Sequence, residues 1–94
     1  MLKKAPPYLA SAEDYPFGWE IDLCDWWPVG AWCEEHYGPT ETQFKGKYHS
    51  IHRADRYVYA KFMSMSDYVV VYFKHEQDAL LFYMTWEGKW RRGG

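Results

Sequence analysis

The chain reads as a small α+β domain in which a mainly antiparallel sheet carries two helices on one face, either a ferredoxin-like sandwich or a truncated or permuted variant of one. Three observations predict this. Stretches 19–23, 56–62 and 68–74 show the two-residue alternation or the continuous apolar run of strands. Stretches 26–37 and 76–86 carry apolar residues at helical spacing. A chain of 94 residues leaves room for one core. The expected division is an extended arm over 1–16, one domain over 17–90 and a flexible tail over 91–94.

Taken in order, residues 1–16 hold Lys3, Lys4, Pro6, Pro7 and Pro16, an arm without packing of its own that Tyr8 and Leu9 would pin in part. Trp19, Ile21 and Leu23 then alternate with Glu20 and Asp22, a half-buried strand with an acidic outer side. Asp25 is placed to cap a helix with Pro28 in its first turn, and Gly38-Pro39 stops it. Its buried stripe would be Trp26, Val29, Cys33 and His36 or Tyr37, with Glu34 and Glu35 facing away. From Thr40 to Ala54 no period is visible beyond a short edge strand near Phe44, Gly46 and Tyr48. Two strands follow, Val58, Ala60 and Phe62 marking the first and the β-branched run after Tyr68 a central second, joined by a turn over 63–67. A last helix begins near Glu76, whose charge with that of Asp78 suits a helix N-terminus, and ends at Gly88.

Six Trp, nine Tyr and five Phe exceed what one small core needs, so some rings are expected at the surface, where Tyr and Trp serve as interface anchors. The net charge of −2 hides a segregation. From Ala5 to Phe44 there are eight acids and no Lys or Arg; from Lys45 to Lys61 there are five cations and one acid. Such asymmetry bears on the choice of partner. No apolar run approaches the roughly 20 residues of a membrane helix, and the first residues lack a signal-type apolar stretch. The expected location is the cytoplasm, with Cys24 and Cys33 as free thiols and no membrane partner.

Cys33 and His36, followed by His49 and His52, have residue types that bind zinc, but Cys33 falls on an apolar helical stripe rather than in a knuckle, and no metal or cofactor is expected. No phosphate loop, nucleophile elbow or metalloprotease motif is present, and Cys33 with His36 lacks an orienting group, so catalysis is not expected. Two binding surfaces compete for a partner protein: the acidic set Glu20, Asp22, Asp25, Glu34 and Glu35, and the apolar set Leu80, Leu81 and Met84 on a helix that is apolar nearly all round. The second would also serve a homodimer. An alternative is nucleic-acid binding through Lys45, Lys47, Arg53 and Arg56 interleaved with Tyr57 and Tyr59 as a stacking platform.

The run from Asp67 to Phe73, with Asp78-Ala79 in the next helix, resembles the third strand and second helix of an RNA-recognition motif, but Val70 stands where that motif has an aromatic and Ser66-Asp67 replaces its basic residue and glycine. Two further passages, Ala31-Trp-Cys-Glu-Glu-His-Tyr-Gly38 and the stretch from Val71 to Trp86 with Asp78, Ala79, Phe82 and Trp86, resemble small accessory proteins of tailed bacteriophages and cover about a quarter of the chain. That resemblance implies a product of an infected bacterium that binds a host protein as an inhibitor or adaptor, a defence or nucleic-acid-handling protein among the candidates.

Overall fold

A computed structural model describes residues 2–5, 14–63 and 67–93, with 88–93 described as helix backbone. The elements are β1 (Lys3–Lys4), β2 (Phe17–Asp22), α1 (Leu23–Tyr37), β3 (Glu41–Lys45), β4 (His49–Arg53), β5 (Tyr57–Met63), β6 (Asp67–Phe73) and α2 (Glu76–Gly93). The strands form one sheet in the order β1-β2-β6-β5-β4-β3, with every neighbouring pair antiparallel. Strands β2 and β3 therefore run in the same direction with three strands between them. That geometry requires a crossover, which α1 supplies. The chain then returns as a four-stranded meander until β6 pairs with β2.

Both helices pack on one face, as the two apolar stripes require. The core there joins Ile21 of β2, Val69, Val71 and Phe73 of β6 and Tyr57 of β5 to Trp26, Val29 and Cys33 of α1 and to Ala79, Phe82 and Trp86 of α2. Trp32 meets both Phe82 and Trp86 edge-on, tying the helices to each other. The opposite face has its own cluster of Val58, Ala60, Val70 and Tyr72, onto which Tyr15 packs. The α+β class and the two-helix layer agree with the sequence reading, whereas the strand count does not follow the ferredoxin-like pattern. That pattern places two strands between its helices; here four lie between α1 and α2.

Several local expectations are corrected. Helix α1 begins at Leu23, not after Asp25, with Asp22 at the N-cap making no side-chain cap bond. Pro28 consequently lies inside the helix, where it removes the N–H that the Cys24 carbonyl would use. Helix α2 continues through Gly88 to Gly93, so the expected tail at 91–93 is helical, and Gly94 lies outside the described residues. One interior glycine costs about 1 kcal/mol against alanine, which a long helix tolerates. The 40–54 stretch is a hairpin of β3 and β4 in which Phe44 lies on the edge strand as expected but Gly46 and Tyr48 fall in the connection, and the register shift between Thr42 and Phe44 is what hides its alternation. The stop at Gly38 is as expected: its φ of 92° needs glycine, and its N–H donates to the Glu34 carbonyl.

The N-terminal arm contributes more than expected. Lys3 and Lys4 pair with Glu20 and Trp19 as an edge strand, and the Leu2 N–H donates to the buried Glu87 carboxylate of α2 at 3.0 Å. Tyr15 is buried and its hydroxyl donates to the Ala54 carbonyl at 3.1 Å. Tyr8, Leu9 and positions 64–66 of the expected 63–67 turn lie outside the described residues, while Met63 and Asp67 belong to β5 and β6 rather than to a turn. Two polar links hold α2 to the sheet: the Trp19 indole N–H donates to the Ala79 carbonyl at 3.2 Å, and Arg56 grips Asp78 through two bonds of 3.0 and 2.6 Å.

Gly18 stands directly opposite Tyr72, whose ring occupies the space a β-carbon would fill. Gly18→Ala is therefore expected to destabilise the fold by about 1–3 kcal/mol through overpacking. Urea denaturation checks this, and the loss should shrink in a Tyr72→Val background, where the ring is gone. Asp78→Ala is expected to lower stability by about 1–3 kcal/mol, the range for a charged hydrogen bond moderated by the exposure of Arg56.

Candidate functional site

The opening at the side of α1 grows from the phase of that helix. Adjacent helical residues point about 100° apart, so of the pair Trp26-Trp27 only one can join the buried stripe with Val29 and Cys33. Trp26 does, and Trp27 is left 84% exposed. Between this flank of the helix and β5 lies a groove of about 340 Å³, walled by Trp26, Trp27, Pro28 and Glu34 and floored by Tyr57, Tyr59 and Lys61. Gly30 lets the Trp26 ring lie against its own helix, since a β-carbon there would sit 2.9 Å from the indole nitrogen. The ring then meets Tyr59 at 4.7 Å.

A row of stacked rings fixes the floor. Phe73, Tyr57, Tyr59 and His52 follow one another across the helix-side face. The Tyr57 hydroxyl donates to the Gly38 carbonyl at 3.3 Å. His52 is hydrogen-bonded through Nδ1 to Thr42 and through Nε2 to Ser50, and its pKa is lowered by burial and by the Lys61 and Lys45 ammonium groups. Burial also raises the pKa of Tyr57 and Tyr59. The tyrosines of the floor are thus held neutral, and the charges in the groove lining are those of Glu34 and Lys61. Trp26 near the start of α1 lies over Tyr59, and Tyr57 reaches past the helix end to Gly38, so Glu34 stands toward one end of the groove and Lys61 toward the other. Among the described residues the ion pair within 4 Å is Arg56 with Asp78, and neither Glu34 nor Lys61 is so engaged.

The expected acidic set is divided by the sheet. Glu20 and Asp22 alternate with the core residues Trp19 and Ile21 and so lie on the face away from the helices, while Glu34 and Glu35 are exposed on α1, with Asp25 in its first turn. Leu80, Leu81 and Met84 are together and exposed on α2, Met84 at 72%. The expected nucleic-acid platform is not formed. Tyr57 is 1% exposed in the core and Tyr59 is half-buried beneath Trp26, while Arg56 is held by Asp78 and Arg53 donates to Tyr15 at 3.2 Å. Lys45 and Lys47 remain exposed near the β3–β4 turn.

On the other face Phe44, His49, Phe62 and Tyr68 stack in turn across β3, β4, β5 and β6. Their ring faces are turned to one another, unlike rings laid flat to receive bases. His49 and His52 point to opposite faces of β4, Cys33 is buried, and His36 is exposed against Trp32. The zinc spacing therefore does not converge, and among the described residues no group of three or more His, Cys, Asp or Glu could hold a metal ion. Among them also, no helix is long and apolar enough to cross a membrane. Trp27 and Pro28 were not among the expected site residues, although the Trp26-Trp27 pair carried the signal.

A second cleft of about 610 Å³ opens beside Tyr15, Tyr37, Glu41, Arg53 and Lys74. Arg53 and Lys74 each sit over the Tyr15 ring, at 5.4 and 5.3 Å. Polar side chains of both signs line it, and the cations are engaged with Tyr15 rather than aimed at a shared point.

Comparison of the chain with family models, with curated proteins and with solved structures found no match.

Burial raises the Cys33 thiol well above its ordinary value, and burial with the Asp78 carboxylate pushes Tyr37 up to about 12. These groups, with Tyr57 and Tyr59, hold their protons more tightly folded than unfolded. Their contribution is complete below about pH 9 and is lost as pH rises through the tyrosine range toward 12. The urea midpoint should accordingly fall steeply above pH 9, and a thiol reagent at neutral pH should label exposed Cys24 while sparing Cys33 until the chain unfolds. The Tyr37 hydroxyl is buried and has no hydrogen-bond partner among the described residues. Tyr37→Phe is expected to raise stability by about 1 kcal/mol and to flatten the alkaline fall.

Proposed function

We propose that this chain is a small protein-binding module that receives a segment of another protein in the groove between α1 and β5. The observation that carries the reading is Trp27, 84% exposed at the rim of a groove already lined by Trp26, Tyr57 and Tyr59. Trp and Tyr dominate the energetics of protein interfaces because each buries a large rigid surface with few rotors to immobilise. Glu34 in the groove lining keeps part of the expected acidic surface at the site, while Glu20 and Asp22 would serve a different face. The basic segment offers less to a nucleic acid, since Tyr57 is in the core, Tyr59 is half-buried beneath Trp26, and two of its four cations are held by Asp78 and Tyr15.

The resemblance to phage accessory proteins supports a host protein as partner, with the chain acting as an inhibitor or adaptor in the cytoplasm of an infected bacterium. Its motif residues Asp78, Ala79, Phe82 and Trp86 are all buried, so the motif speaks for the build of the domain and the groove for its activity. Leu80, Leu81 and Met84 form a second apolar surface on α2, suited to self-association.

Affinity capture from bacterial lysate, with and without nuclease, tests the reading. A partner protein that survives nuclease and is reduced at least tenfold by Trp27→Ala is the expected outcome. Trp27 is so exposed that its truncation should change stability by less than about 0.5 kcal/mol, which circular dichroism and urea unfolding check. Capture that vanishes with nuclease, or that ignores Trp27 and depends on Lys45 and Lys47, would overturn it.

A further inference from the structure

We infer that the ligand of the α1–β5 groove is a proline-rich segment in the polyproline II conformation carrying a lysine or arginine that seats against Glu34. The inference rests on the protein-binding reading and specifies its partner. Three modes of peptide recognition compete, and the geometry separates them. Strand addition needs a free sheet edge, but the floor strand β5 is paired with β4 on one side and β6 on the other, so no main-chain ladder is on offer. A helical ligand, about 10–12 Å across with its side chains, needs a long apolar trough with anchors every turn; this groove is about 340 Å³ and is polar at both ends, with Glu34 and Lys61. A polyproline II segment is slender, has no internal hydrogen bonds and presents flat pyrrolidine faces at little entropic cost.

The lining matches those faces. Trp27 at the rim and the half-buried Tyr59 on the floor offer flat faces, the buried Trp26 and Tyr57 back them, and Pro28 completes the helix-side wall. The stacked row from Phe73 to His52 immobilises the floor, so little freedom is lost on binding. Charge sets the flanking residue. Glu34 is exposed and, among the described residues, outside any ion pair, and Lys61 is displaced toward the opposite end. A cation on the ligand is therefore favoured at the Glu34 end and opposed at the Lys61 end. This also gives the segment a direction in the groove.

The test is a nuclear magnetic resonance titration of the full chain with acetylated hexaproline peptides bearing one arginine, at either terminus, monitored at the tryptophan indole N–H resonances. Saturable shifts of the Trp27 resonance are expected, with one arginine placement tighter than the other. Trp27→Ala should weaken binding at least tenfold. Glu34→Gln should weaken the better arginine peptide about two- to fivefold more than it weakens uncharged hexaproline, and Leu81→Glu on α2 should have no effect. Equal binding of a glycine-serine peptide with the same arginine would overturn the proposal. So would the absence of saturable shifts, or stronger binding of single-stranded oligothymidine at these resonances. If the peptides fail while a captured protein still depends on Trp27, the protein-binding reading stands and the ligand class falls.

Discussion

Strand β6 imposes the condition on which the rest of the molecule is arranged, because its residues from Val69 to Phe73 are all buried and it has no polar side to turn toward water. A strand of that kind must be covered twice. On one side Val69, Val71 and Phe73 are covered by both helices; on the other Val70 and Tyr72 are covered by Tyr15 with Ile51, Phe62 and Tyr68 around them. The same strand joins β2 to the meander, so the two ends of the chain are organised around it. The Leu2–Glu87 and Trp19–Ala79 bonds fasten the N-terminal strands to α2 and close the arrangement.

Much of this was legible from residue types alone. The alternation in β2 and β5, the β-branched run of β6, the stripes of α1 and α2 and the stop at Gly38 all follow from local rules that tertiary contacts do not oppose. What was hidden depended on contacts remote in sequence. Lys3 and Lys4 have no intrinsic strand signal and pair because Glu20 and Trp19 present a free edge. The β3–β4 hairpin escaped notice because an irregular register breaks the alternation and because Ser50 and His52 place polar groups on the helix-side face, where they satisfy each other. In the candidate site, Glu34 and Tyr59 were singled out for separate roles, and their meeting beside Trp27 depended on where α1 crosses β5.

Charge tells a similar story. Acids and cations are segregated along the chain but interleaved in space: Lys3 lies across from Glu20, Arg56 reaches Asp78 on α2, and Lys61 shares a groove with Glu34. Folding thus brings acids and cations close in space, and among the described residues Arg56 and Asp78 form the ion pair while Glu34 and Lys61 stay unpaired in the groove.

The irregularity in β3 has a consequence for the sheet as a whole. Because the register shifts between Thr42 and Phe44, Glu41 pairs with Arg53 on one face and Lys45 with Ser50 on the other, so the outer edge of β3 is not a regular row of donors and acceptors. The far edge, β1, is two residues long and consists of lysines. Short, charged or bulged edges resist the addition of further strands. A sheet whose centre is as apolar as β6 thus has margins that resist lateral growth, so its apolar middle does not seed pairing from strand to strand.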